Sequence, residues 1–205
     1  MTSQNKLYFY PVWLRIWHGF NALGILTLIA TGLSMQSSVD IIGFKSIVSI
    51  HNIAGIVVSL SYLLYFFGNM FTPNGQFYII KPKGFLKRPI KQAYYYAWGM
   101  FHGMQAPYPL SEKRKFNPLQ KYSYIVVMYM FVPLVILSGI ALLFPEIIID
   151  RIYSLSGVFV TAVVHSAMGF LISVFLIVHL YIASIGKSPL ENFKSIITGW
   201  HQTTH

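Results

Sequence analysis

Four long apolar segments constrain this chain more than any other feature of its sequence. They cover approximately residues 14–35, 47–71, 122–144 and 155–185, and each is long enough to cross a bilayer as a helix, which takes about 20 residues. Hydrophobic residues make up 55% of the 205 residues and charged residues only 10%, unlike an ordinary soluble domain. The pattern predicts an all-α integral membrane protein, a four-helix bundle forming a single domain over residues 1–205.

Basic residues are concentrated in the loop between the second and third segments. By the positive-inside rule this long loop is cytoplasmic, and so are both termini, which carry basic residues of their own. The other two loops contain only Lys45 and Arg151 as bases. The net charge of +10 therefore reflects membrane topology, and no nucleic-acid partner is expected. The loop bases are Lys81, Lys83, Lys87, Arg88, Lys91, Lys113, Arg114, Lys115 and Lys121, against the single acid Glu112.

Three further features of the sequence bear on the topology of the chain and on the cofactors that it can hold. The first apolar segment is expected to be retained as a helix, because no A-x-A-like cleavage site follows it. Cysteine is absent, which excludes disulfides, thiolate-ligated Fe–S clusters and haem attached through C-x-x-C-H. Residues 84–104, with an aromatic cluster among Lys and Arg, are expected either to lie along the lipid headgroups or to dock on a partner.

Four histidines lie in the apolar segments, at two depths. His165 and His179 are fourteen residues apart, which on a helix returns them to within about 40° of the same face and separates them by about 21 Å. His18 is near the inner end of the first helix, and His51 is near the outer end of the second. Depth therefore pairs His18 with His179 and His51 with His165. The histidines of the loop and tail, His102, His201 and His205, are expected to be ordinary solvated residues.

Haem iron held by two axial histidines fits these pairs best, because two neutral imidazoles from facing helices can fill both axial positions. Zinc sites need three or four clustered ligands, and proton relays usually add carboxylates, which these segments lack. A single intramembrane histidine is more often a packing residue bonded to a neighbouring helix. Arg15, one turn before His18, is expected either to pair with a haem propionate or to anchor the helix at the interface.

Small residues and one proline also bear on the bundle. Glycine and alanine in the helices would let a flat macrocycle approach the backbone, although the same residues mediate plain helix packing. Pro133, in the middle of the third helix, is expected to kink it. The small residues are Gly19, Ala22, Gly24, Gly32, Ala54, Gly55, Gly139, Ala167 and Gly169.

Several stretches resemble one family over nearly the whole chain. PVWLRIWHGFNALGILTLIATGL, KFNPLQKYSY, the two histidines of the fourth helix and the tail NFKSIITGWH are similar to the four-helix di-haem cytochrome b subunits of respiratory thiosulfate reductases, formate dehydrogenase-N and nickel–iron hydrogenases. The thiosulfate reductase branch is the most similar. The resemblance implies two b haems, with His18 and His179 binding the cytoplasmic-side iron and His51 and His165 the periplasmic-side iron.

The resemblance also implies a menaquinone or menaquinol site next to the inner haem. Its N-x-x-Q loop corresponds here to Asn117 and Gln120, just before the third helix. From the residues alone, Asn117 followed by proline is also a good cap for that helix, and the two roles are compatible.

The expected function is that of a membrane-anchor electron-transfer subunit of a respiratory complex in the bacterial inner membrane. It exchanges electrons between the quinone pool and a periplasmic Fe–S or multihaem subunit, with quinol oxidation favoured and the terminal substrate handled by the partner. The partner is expected to sit near residues 40–45 and 145–154. One alternative is a stand-alone b561-like transmembrane cytochrome; another is a cofactor-free membrane anchor or transporter.

Overall fold

The computed structural model describes residues 5–37, 42–186 and 188–203. Asp40 and Ile41, in the region where the partner is expected to sit, and His205 lie outside these ranges. Within them, four helices are long and apolar enough to cross a membrane, which confirms the predicted all-α membrane four-helix bundle. They are α1 (Val12–Gln36), α2 (Phe44–Phe71), α4 (Pro118–Leu143) and α5 (Gly157–Ser184).

Helix α4 begins earlier than the hydropathy pattern predicts, because a capping box defines its first turn. The Asn117 side chain accepts a hydrogen bond from the Gln120 backbone N–H at 2.9 Å, and the Gln120 side chain accepts one from the Asn117 N–H at 3.1 Å. Pro118 occupies the first helical position, where its missing N–H costs nothing. The capping role predicted for Asn117 is confirmed.

Pro133 affects α4 through the turn that precedes it. Residues Val127–Phe131 form a π-helical turn, and α-helical structure resumes at Val132. A proline cannot donate to the carbonyl four residues earlier, and a wider turn accommodates that lost hydrogen bond. A π-turn is therefore present just before Pro133, in the middle of the membrane-spanning helix, and the kink stays a prediction.

The four long helices form two closely packed pairs. Helix α1 packs along α2, and α4 along α5, whereas the backbones of α1 and α5 stay apart. In the first pair a Cβ on Gly24 would collide with Val58, and one on Gly68 would lie 2.8 Å from the Trp13 ring. Gly24 therefore serves helix packing, the alternative role considered for the small residues.

A buried apolar layer lies between the two histidine depths. Ile172 of α5, seven residues from both His165 and His179, is 6% exposed. It belongs to an apolar cluster that contacts residues of the other three long helices. The layer consists of Val127, Val132 and Ile172, with Ile25, Tyr62, Phe131 and Phe175 among the residues packed against it.

Both chain ends and the basic loop meet at one end of the bundle, called here the inner end after its predicted orientation. Strand β1 (Asn5–Tyr8) pairs antiparallel with β4 (Trp200–Thr203), which follows the short helix α6 (Glu191–Thr198). The loop contains the helix α3 (Lys87–Ala97). At the opposite, outer end a small hairpin joins β2 (Arg151–Ile152) to β3 (Leu155–Ser156) just before α5. The sequence pattern predicted none of these strands.

Candidate functional site: two histidine pairs across the bundle

The structure brings the four intramembrane histidines together as two pairs. The ring centroids of His18 and His179 are 6.3 Å apart, and those of His51 and His165 are 6.2 Å apart. These are the pairs that depth predicts, and all four side chains are half-buried. We call them the inner pair and the outer pair.

Both separations match a metal ion bound between two imidazoles. A metal–imidazole nitrogen bond is about 2 Å, and the nitrogen lies about 1.1 Å from the ring centre, so two trans imidazoles place their centroids about 6.3 Å apart. Each pair joins α5 to a helix of the other packed pair, across the region where the backbones stay apart. Among the described residues no group of three or more His, Cys, Asp or Glu side chains is arranged to hold a metal, so these sites offer two protein ligands each.

In the outer pair, hydrogen bonds at Nδ1 determine which ring nitrogen is free. The Thr31 hydroxyl has the Thr27 carbonyl at 2.7 Å and His51 Nδ1 at 2.9 Å. With its one proton assigned to the nearer carbonyl, the hydroxyl accepts from the His51 Nδ1–H. This arrangement leaves Nε2 of His51 with its lone pair, the form in which imidazole binds a metal.

His165 is held in the same way from α4. Its Nδ1 lies 3.0 Å from the Val135 carbonyl and 3.2 Å from the Ser138 hydroxyl, whose own proton is donated to the Leu134 carbonyl at 2.6 Å. Both groups accept, so Nδ1 carries the proton and Nε2 is free. A glycine makes room for the His165 ring. A Cβ on Gly139 would lie 3.0 Å from His165 Cε1, and one on Gly32 would lie 3.7 Å from His51 Cε1.

Aromatic rings surround the inner pair instead. Phe175 is stacked on His179 at 5.6 Å with an interplanar angle of 18°, Tyr124 meets the same ring edge-on at 5.9 Å, and Trp17 lies 6.4 Å from His18. In the described part of the chain, no ring nitrogen of either histidine makes a hydrogen bond.

Arg15 lies one turn before His18 and leaves a buried donor without a protein partner. Its Nε has no hydrogen-bond partner among the described residues. A buried N–H of this kind needs an acceptor, and a haem propionate at the inner pair would supply one. The ring separations, the free Nε2 atoms, the glycines beside the outer rings and this donor all fit a b-type haem at each pair.

Asn117 and Gln120, the predicted quinone residues, lie at the inner end of α4. Asn117 Oδ1 is used in the capping box, and its Nδ2 donates to the Tyr96 hydroxyl at 2.8 Å. Gln120 Oε1 is used in the same box. Within the described residues, Nε2 of Gln120 makes no hydrogen bond, which leaves it as the amide donor available to a ligand.

One lysine at the inner end is buried, which the sequence pattern did not predict. Lys115 is 2% exposed, and its Nζ donates to Asn74 Oδ1 at 2.7 Å and lies 4.7 Å from the Tyr10 ring centre. Asn74 in turn donates to Asn69 at 2.6 Å. Burial without a carboxylate lowers the pKa of Lys115 to about 7, because the charged form is poorly solvated there.

Sequence reasoning missed other residues around the sites as well. Thr31 and Ser138 carry the hydrogen bonds of the outer pair, and a hydroxyl at the depth of a histidine is the signal that could have found them. His201 is half-buried, with Nδ1 at 3.2 Å from the Ser195 hydroxyl and its ring 6.0 Å from Phe9. The expectation that it is simply solvated is wrong, because the β1–β4 pairing folds it against the protein.

His102 lies at the surface as expected. It is exposed, and its ring stacks on Trp98 at 3.9 Å. His102 and His201 both lie outside the two pairs.

A multi-pass helical bundle with two histidine pairs, each of which joins α5 to a helix on the other side of the bundle, has the features of a membrane b-type cytochrome. The family model for prokaryotic cytochrome b561 matches residues 9–199, and the chain belongs to that family. It is 34% identical over 198 residues to the Escherichia coli (strain K12) protein named "Putative cytochrome YdhU", covering 96% of this chain and 75% of that one. No solved structure matches it. The chain is thus a b561-like transmembrane electron-transfer protein, of a family that binds haem b.

Proposed function

We propose that this chain is the membrane subunit of a respiratory oxidoreductase and carries two b haems, one at each histidine pair. The observation that carries the proposal is the separation of 6.3 and 6.2 Å between the paired rings, repeated at two depths of one bundle. His18 and His179 are the axial ligands of the inner haem, and His51 and His165 are those of the outer haem. Each haem, when bound, supplies a one-electron couple.

The protein contributes position and environment to electron transfer. Helix α5 provides one ligand at each depth, so its own geometry separates the two sites by about 21 Å along the helix axis. The apolar layer around Ile172 lies between them. Two histidines per iron leave no open position, which favours electron transfer over binding of small ligands.

The quinone site of this proposal adjoins the inner pair and takes menaquinol or menaquinone. Gln120 offers its free Nε2–H to a quinone carbonyl, while Asn117 positions Gln120 through the capping box. Tyr96, whose hydroxyl accepts a hydrogen bond from Asn117, would be a further polar group of this site. Asn117 is therefore a positioning residue here, because its own oxygen is already used.

The partner in this proposal is a periplasmic Fe–S or multihaem cytochrome subunit that docks at the outer end. The segment before α5 exposes apolar side chains there, with Ile147 63%, Ile149 72% and Tyr153 99% exposed. Residues 42–45 and 145–154 provide the described part of this docking surface. Resemblance to the thiosulfate reductase branch favours quinol oxidation and a location in the bacterial inner membrane.

A stand-alone b561-like cytochrome is the second candidate, and the family match favours it equally. In that case the same two haems would pass electrons between small soluble reductants and acceptors. Purification from native membranes separates the two: a co-purifying Fe–S or multihaem subunit supports the respiratory subunit, and a chain that is active alone supports the stand-alone cytochrome.

Haem content tests the central assignment. The chain is purified from haem-replete membranes, and b haem per polypeptide is measured as the pyridine haemochrome in the wild type, His165→Ala and His179→Ala. We expect two haems in the wild type and one in each variant, with a different haem lost in each. His102→Ala, outside the bundle, is the control and should keep two. A wild type with one haem or none would refute the two-haem assignment.

A further inference from the structure

A basic cavity opens at the inner end of the bundle, beside the sites already described. Its volume is about 650 Å³, and it lies between the segment after α2, the start of α3 and the start of α4. One acid, Glu112, also lines it. Six cationic side chains line the cavity: Lys81, Arg88, Lys113, Arg114, Lys115 and Lys121.

The described residues do not neutralise these positive charges. In the described part of the chain, none of the six forms an ion pair with a carboxylate. Instead, backbone carbonyls hold several of them in place: Arg88 Nη2 donates to the Lys81 carbonyl at 3.1 Å, and Lys121 Nζ donates to the Ile79 carbonyl at 3.1 Å. Like charges at close range repel one another unless an anion lies between them.

Lys115 gives the cavity a buried amine. It is 2% exposed, and its nearest polar partner is the neutral amide of Asn74, at 2.7 Å. A buried charge normally needs an opposite charge. Burial lowers the pKa of this amine, and an anion in the cavity would stabilise its charged form.

Helix α3, which begins beside the cavity, has the pattern of a helix that lies along a membrane surface. Apolar residues recur at helical spacing from Leu86, just before the helix, through Ile90 and Tyr94, and they are 63%, 63% and 56% exposed. Lys87 and Lys91 lie on the same short helix. An amphipathic basic helix of this kind lies in the interface, with its apolar face among the acyl chains. Lys121, in the first turn of α4, places the cavity at the same level.

We propose that the cavity binds the phosphate headgroup of an anionic phospholipid. Phosphate oxygens accept several charge-assisted hydrogen bonds at once, and Arg88 can bind two of them in parallel. A soluble phosphate ester shares this chemistry, but the exposed apolar face of α3 beside the cavity favours a lipid, whose chains would lie along that face.

Lipid titration of the haem-loaded full chain tests the proposal. The protein is stripped of lipid in detergent, and binding of phosphatidylglycerol and of phosphatidylcholine is followed by native mass spectrometry. We expect one saturable phosphatidylglycerol site per chain, and affinity roughly tenfold lower or more in Arg88→Gln/Lys121→Gln, which removes two charge-assisted hydrogen bonds. The haem spectrum reports that each variant is folded.

The matched control is Lys87→Gln/Lys91→Gln, which removes the same charge from α3 outside the cavity and should change the affinity by less than about twofold. Inorganic phosphate is titrated in parallel, and weak or no competition supports the lipid. Equal phosphatidylglycerol affinity in the two double variants would overturn the site. Tight binding of inorganic phosphate without binding of phosphatidylglycerol would overturn the lipid as its occupant.

Discussion

The outer and inner histidine pairs have nearly the same ring separation but different surroundings. Hydrogen bonds from Nδ1 to Thr31, Ser138 and a backbone carbonyl orient the outer rings. Stacking and edge contacts with Phe175 and Tyr124 orient the inner ring of His179. The same ligand geometry is therefore supported in two physically distinct ways within one bundle.

This difference has an electronic consequence. A hydrogen bond accepted from Nδ1–H makes the imidazole a stronger donor to iron, which stabilises the ferric state and lowers the reduction potential. The outer pair has such bonds and the inner pair lacks them in the described residues, while the cation Arg15 lies beside the inner pair. We therefore expect the outer haem to have the lower potential.

The largest expected effect comes from crowding the outer pair. In Gly139→Ala the new Cβ would lie 3.0 Å from His165 Cε1, and overpacking of this kind costs about 1–3 kcal/mol. We expect partial loss of the outer haem and retention of the inner one, measured as haem per chain after dilution in detergent. Gly32→Ala is the matched control, because its Cβ would lie at an ordinary 3.7 Å from His51. Equal loss in both variants would contradict the role of Gly139.

The next largest expected effect is a dependence of stability on pH, which arises from the buried Lys115. Below about pH 7 Lys115 is protonated in the folded and unfolded chain alike. Between about 7 and its ordinary 10.5 only the unfolded chain keeps the proton, so the free energy of unfolding rises with pH in this window. The slope is at most about 1.4 kcal/mol per pH unit, or on the order of 2 kcal/mol from pH 7 to 8.5.

Thermal unfolding of Lys115→Met beside the wild type measures this contribution. The wild type should gain stability relative to the variant between pH 7 and 8.5. Lys113→Met, which removes an exposed amine of the same loop, should keep the wild-type pH dependence. Parallel pH curves for the wild type and Lys115→Met would show that the amine is charged throughout.

Removing a hydrogen bond from the outer pair should shift one potential. Thr31→Val keeps the shape of the side chain but takes the acceptor from His51 Nδ1–H. A net hydrogen bond is worth about 1 kcal/mol, or about 40 mV for a one-electron couple, so we expect the outer haem potential to rise by up to that amount in a redox titration. Thr27→Val, whose hydroxyl bonds only to the Leu23 carbonyl, should leave both potentials unchanged. A shift of the inner haem instead would reverse the assignment of the pairs.

The smallest effect is expected at the inner pair. Phe175→Leu removes the ring stacked on His179, an interaction worth about 0.5 kcal/mol beyond its buried area. The reduction potential of the inner haem should therefore move by less than about 20 mV. The ring should instead gain rotational freedom, which would broaden the inner haem signal in low-temperature electron paramagnetic resonance. Phe170→Leu, 67% exposed on the same helix, is the control. An unchanged signal would mean that other contacts orient His179.

Much of the fold could be predicted from the sequence because it depends on local composition. The four spans follow from segment length and apolarity, and the capping box of α4 follows from Asn117, Pro118 and Gln120 alone. The strands β1 and β4 could not be found in the same way, since they pair residues from opposite ends of the chain. The half-buried state of His201 follows from that pairing and was missed with it.

The sequence by itself determined the depths of the histidines and hence which of them could meet. Fourteen residues on one helix return to nearly the same face, whatever the neighbours are. Only the tertiary structure decided what surrounds each pair, because the rotation of α1 and α4 about their axes brings Thr31 and Ser138 to the outer rings. It also decided that Lys115 is buried among aromatic rings while Lys113, two residues earlier in the same loop, is exposed. Such contacts join residues far apart in the chain, and local sequence does not encode the rotations that bring them together.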